Sequence, residues 1–124
     1  MGMFVSYTTR DHYIDRELLE VVSEVLAEYG PYYIDLLHND SLDKQRHVEL
    51  MLSKAQLLLL ILSKSINKSE WVQWEIREAR RSCIPIIAVQ ASSDRKETVS
   101  NLRSKLDSEF EKLTNKDRSC EATI

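Results

Sequence analysis

Apolar residues in this chain gather in short solid runs, and longer stretches between them carry apolar residues only at helical spacing. Met3-Phe4-Val5-Ser6-Tyr7 is the first run. Ile14, Leu18, Val21, Val25 and Tyr29 then recur with helical periodicity; Asp11 is the expected cap and Gly30-Pro31 the stop. Tyr32-Tyr33-Ile34-Asp35-Leu36-Leu37 reads as a second strand, followed by a polar stretch from His38 to about Lys44. Val48, Met51, Leu52 and Ala55 mark one face of a second helix. Residues 57–62 are apolar without alternation, which suits a parallel strand covered on both faces. Ser69 is a good cap for a third helix, whose stripe is Val72, Ile76, Ala79 and Cys83. Pro85-Ile86-Ile87-Ala88-Val89 is a fourth strand, with proline at its start where a missing N–H is tolerated. Val99, Leu102, Leu106, Phe110 and Leu113 form a last amphipathic stripe.

The order is β-α-β-α-β-α-β-α, which predicts an α/β protein whose parallel sheet is wrapped on both faces. Crossovers should be right-handed. Such sheets bind ligands beyond the carboxyl ends of their strands, where the strand order reverses. Ser6-Tyr7-Thr8, residues 35–38 and Ser63 should reach that edge. One domain over residues 1–113 is expected, with a polar, loose tail over 114–124.

Composition narrows the chemistry. A hydrophobic content of 43% in 124 residues supplies one core, and a net charge of -3 gives no electrostatic case for nucleic acid or an anionic membrane. No run is long enough to span a bilayer. Met1-Gly2-Met3-Phe4-Val5-Ser6 fits the loose myristoylation pattern, but residues 4–7 read as a buried strand. Gly2 and Gly30 are the only glycines, so a glycine-rich phosphate loop is excluded. His12, His38 and His47 lack metal-ligand spacing, and no metal site is expected. Cys83 and Cys120 form no metal-like spacing and no disulfide framework, which suits a reducing cytoplasm.

The third helix holds the residue that needs most explaining. With Val72 as reference, Glu75 lies about 60° to one side and Trp71 about 100° to the same side. Glu75 is thus a boundary carboxylate, either paired with a neighbouring arginine or reserved for a ligand. Trp74 points nearly opposite the stripe, which suits an interface or packing under a loop. Asp35, at a strand end, serves either a ligand or the next turn. Arg77, Arg80 and Arg81 suit the negative end of the helix.

Together these pieces resemble the TIR (Toll/interleukin-1 receptor) domain. Phe4-Val5-Ser6-Tyr7 is similar to its first box, Tyr33-Ile34-Asp35 to its second strand, Leu60-Ile61-Leu62-Ser63 to its third and Pro85-Ile86-Ile87 to its fourth. Ser69-Glu70-Trp71-Val72-Gln73-Trp74-Glu75 resembles the helix that carries the catalytic glutamate in members that cleave NAD. The resemblance implies a flavodoxin-like three-layer sandwich with four parallel strands, a fifth being left open. It implies cleavage of the nicotinamide–ribose bond of NAD, with Glu75 catalytic and Tyr7, Thr8, Asp35 and Trp71 lining the pocket. NAD is then substrate, and no cofactor is expected. Standalone TIR enzymes of Thoeris-type anti-phage systems resemble the layout most closely. They imply a cytoplasmic enzyme that self-assembles through TIR–TIR contacts and signals to a separate effector through an ADP-ribose-derived product. Residues 38–44 lack the Pro-Gly common in that family's loop. A non-catalytic TIR interaction module, or a flavodoxin-like nucleotide binder without turnover, are the rival expectations.

Overall fold

The computed structural model describes residues 2–35 and 44–115. The chain order is β1 (Met3–Ser6), α1 (Arg16–Leu26), β2 (Tyr32–Ile34), α2 (Lys44–Lys54), β3 (Leu57–Leu62), a 3-10 turn (Ile66–Lys68), α3 (Glu70–Arg81), β4 (Ile86–Gln90) and α4 (Arg95–Asn115). The four strands form one parallel sheet in the order β2-β1-β3-β4. This is the flavodoxin-like arrangement, and no fifth strand occurs among the described residues. The order reverses between β1 and β3, so the ligand edge predicted from topology lies at their carboxyl ends.

Side-chain alternation along the strands separates two cores. Met3, Val5, Ile34, Leu57, Leu59, Ile61, Ile87 and Val89 face α1 and α4, meeting Leu18, Leu19, Val22, Leu26, Leu102 and Leu106. Phe4, Tyr33, Leu58 and Leu60 face α2 and α3, meeting Val48, Leu52, Val72 and Ala79. The unbroken leucine run of β3 supplies both cores, as expected of a doubly covered central strand.

Four local expectations are corrected. Asp11 does not cap α1. The cap is Asp15, whose carboxylate accepts from the Leu18 N–H at 2.9 Å, so the helix starts one turn later and its buried stripe runs through Val22 in place of Val21. The apolar stripe of α3 does not extend to Cys83. The helix stops at Arg81, the Ile84 N–H reaches the Ala79 carbonyl and the Cys83 N–H reaches that of Arg80. This is a Schellman ending, with Cys83 at φ 58 in the left-handed position usually given to glycine. Cys83 is exposed and disulfide-bonded, against the expectation of unpaired thiols. Finally, α4 runs to Asn115, slightly past the stripe that predicted it. The polar stretch from His38, and most of the tail, lie outside the described residues.

Candidate active site

β1 delivers the first component. Alternation puts Ser6 on the same face as Phe4, toward α3. There its Oγ donates to Glu75 Oε1 at 2.6 Å, with Ser6 1% and Glu75 4% exposed.

The start of α3 is fixed by Ser69, whose side chain accepts from the Val72 N–H. Val72 and Ala79 are fully buried, and Glu75 stands between them at i+3 from Val72, one turn before Ala79. Packing this close to the sheet turns the boundary residue expected from periodicity into a buried one. Its partner is a serine of the central strand and not a neighbouring arginine; Arg81 pairs with Glu78 at 3.4 Å. Burial is the main force on the Glu75 carboxyl and pushes it up to about 7. The Ser6 hydroxyl pulls the other way, and the negative charge of Asp35 adds to the rise.

Asp35 follows the last residue of β2. Tyr33, two residues earlier and on the same side of the strand, donates its phenol to Asp35 Oδ1 at 2.8 Å. That phenol is held well above its ordinary range, first by burial and then by this bond, so it remains a proton donor. Phe4 and His47 pack on the Tyr33 ring, each with centroids 5.5 Å away.

Trp71 completes one wall. It is 38% exposed, and its ring stacks on Trp74 with centroids 5.1 Å apart and planes 11° from parallel. Trp74 itself is half-buried against the α2/α3 core, which corrects the expectation that it points away from the core.

Val5, Tyr7, Thr8, Thr9, Asp35, Trp71 and Glu75 together line a cleft of about 250 Å³. The structure thus brings all five residues named from the sequence (Tyr7, Thr8, Asp35, Trp71 and Glu75) to one opening at the carboxyl ends of β1 and β2, beside α3. A larger opening of about 320 Å³ lies among the later turns of α2 and α3, with Glu49, Trp74 and Glu78. Glu75 does not line it.

Two further contributors escaped sequence reading. Ser6 was visible only as loop-edge polarity, although period-two alternation from Phe4 would have aimed it at α3. Asp11, taken for a cap, instead accepts from the Ser65 N–H at 2.8 Å and from the Ser65 hydroxyl at 2.9 Å. Those bonds, the backbone one foremost, hold its carboxyl below the usual range. Beside it the Lys64 N–H donates to the Tyr13 phenol oxygen at 3.1 Å. The loop carrying Tyr7 and Thr8 is thereby tied to the segment that leads into α3. Ser63, expected at the same edge, is buried there.

The model of one protein family, the Thoeris protein ThsB, TIR-like domain, matches residues 4–96. The chain belongs to this family. No curated protein matches the chain. The match covers β1 from Phe4 onward, the other three strands and α1 to α3, and so every residue that lines the cleft. Membership in an anti-phage TIR family follows. Among the described residues there is no cluster of metal-ligating side chains, and no helix is long and apolar enough to cross a membrane.

Proposed function

We propose that this TIR-like domain cleaves the nicotinamide–ribose bond of NAD, with Glu75 as the catalytic carboxylate, and makes an ADP-ribose-derived signal in anti-phage defence. The observation that carries this reading is a buried glutamate lining a cleft at the carboxyl ends of the strands, with an aromatic wall beside it. A titration midpoint near 7 keeps a substantial anionic fraction at neutral pH.

The substrate chemistry fits a single carboxylate. When the C1′–N bond breaks, the electron pair stays on nitrogen and nicotinamide leaves neutral. No general acid is needed, unlike the two-carboxylate arrangement of ordinary glycoside hydrolysis. Positive charge grows on the ribose, and a fixed carboxylate in a partly dry cleft stabilises it. Trp71 offers a flat apolar face to a planar ring. Water adding at C1′ and losing a proton gives ADP-ribose; a nucleophile of the same molecule gives a cyclic isomer. The cleft is smaller than the roughly 300–1,000 Å³ of most ligand sites. It suits the reacting half of NAD, and the adenosine half has to extend beyond it. This is compatible with the self-assembly through TIR–TIR contacts that the resemblance implies.

Purified protein is assayed with NAD at concentrations where it self-associates, and nicotinamide release is followed by chromatography. Wild type should release nicotinamide, and Glu75→Ala should not. Intact NAD under those conditions refutes the enzymatic reading, whereas activity surviving Glu75→Ala refutes only the site. Mass spectrometry of the product identifies the acceptor. The exposed Trp71, stacked on Trp74, favours the second reading, a non-catalytic interaction module, which predicts binding without turnover.

A further inference from the structure

Glu75 accepts one hydrogen bond among the described residues, and it comes from Ser6. A serine hydroxyl has a single proton to give. At 2.6 Å that proton is committed to Glu75 Oε1. Glu75 itself lines the cleft. Ser6 has little freedom to turn away. It is the last residue of β1, 1% exposed, with its backbone registered against Leu60 of β3. We propose that Ser6 is the positioning residue for Glu75: its hydroxyl holds Oε1, orients Oε2 toward the ribose, and keeps the carboxylate charged.

The charge balance around the site makes this hydroxyl matter. The groups facing Glu75 are Asp35 at the end of β2, the Tyr33 phenol beside it, and Tyr7 after β1. None of them is a cation, and among the described residues no lysine, arginine or histidine lines the cleft. Burial and Asp35 both favour the protonated acid, and among the described residues Ser6 is the group that favours the anion. Removing its O–H leaves a buried carboxylate without a donor, and such a group takes up a proton. A neutral Glu75 cannot stabilise positive charge on a ribose.

The proposal rests on the NAD-cleaving reading, but its test can be read without NAD. Carboxyl carbon NMR follows the Glu75 titration in the full chain for wild type, Ser6→Ala and Ser6→Thr. The Glu75 midpoint should rise by about one pH unit in Ser6→Ala, the size expected for loss of a hydrogen bond to a charged group. Ser6→Thr, which keeps the hydroxyl, should titrate like wild type. The acid limb of NAD cleavage should move with the titration, and at pH 7 kcat should fall about fivefold with KM little changed. Should Ser6→Ala fail to fold, Ser6→Cys, a weaker donor, gives the same readout with a smaller rise. An unchanged Glu75 midpoint in the variant lacking the hydroxyl overturns the proposal, whatever happens to NAD. A raised midpoint in a chain that leaves NAD intact supports the hold of Ser6 on Glu75 and overturns only the NAD reading.

Discussion

Replacing Glu75 by glutamine should make the protein more stable above neutral pH. Glutamine has nearly the same shape, and its carbonyl oxygen can still accept from Ser6, so the packing against Val72 and Ala79 is kept. What changes is the cost of a buried charge. The folded-state midpoint of Glu75 lies at about 7 against an ordinary 4.5. The folded protein therefore holds this proton more tightly than the unfolded chain does. Its stabilising contribution is complete below pH 4.5 and is lost as pH rises through 7. At about 1.4 kcal/mol per pH unit, the wild type gives up about 3 kcal/mol between pH 4.5 and 8 through this one group. Glu75→Gln has no such loss. Urea or thermal unfolding of both proteins at pH 5 and pH 8 isolates the effect, because every other titrating group is shared. The variant's advantage should be about 1 kcal/mol at pH 5 and about 3 kcal/mol at pH 8, where it amounts to about 10 °C in Tm for a domain of this size. An advantage that is the same at both pH values would refute the reasoning. NAD cleavage should be lost in the same variant, so stability and activity should move in opposite directions.

Leu59→Ala, at a fully buried site of the central strand, should cost about 2–5 kcal/mol in urea unfolding. Ser69→Ala removes the cap of α3 and should cost about 1 kcal/mol; a loss of activity larger than the loss of folded protein would show that the helix start also places Glu75. Asp11→Ala should speed amide hydrogen exchange in both loops it joins, at residues 7–15 and 63–69, while the strands stay protected. Trp71→Ala should raise KM for NAD by about tenfold with a smaller change in kcat, the scale of one aromatic stacking contact.

The strands were the most legible part of the fold. Residues 57–62 and 86–89 are apolar runs bounded by polar or turn residues, and nothing else fits them. Helix starts were harder. Asp11 and Asp15 both precede an apolar-periodic segment, and a one-turn shift changes the stripe only from Val21 to Val22. The decision lies in tertiary structure, because Ser65 engages Asp11 from 54 residues away. Cys83 shows a similar limit: it continues the spacing of α3, but the chain reverses there into a left-handed residue. Glu75, Trp71, Asp35, Tyr7 and Thr8 were named from family resemblance, and the fold gathers them in one cleft. The burial of Glu75 was not legible, since helical angles do not say how closely a helix approaches its sheet. Trp74 was misread for the same reason: the α2/α3 core extends far enough around α3 to reach it.

β1 is only four residues long, and its last one faces Glu75. A slip of one residue in its pairing with β3 would exchange the two faces of the strand. Val5 or Tyr7 would then stand where Ser6 does, the carboxylate would lose its donor, and Met3 and Val5 would trade cores with Phe4. In so short a strand the hydrophobic pattern alone gives few votes for the correct alignment. The Ser6–Glu75 bond adds one from 69 positions further along the chain. The same hydrogen bond that readies the site for substrate thus proofreads how the sheet is assembled, and a misaligned chain would be both less stable and chemically silent.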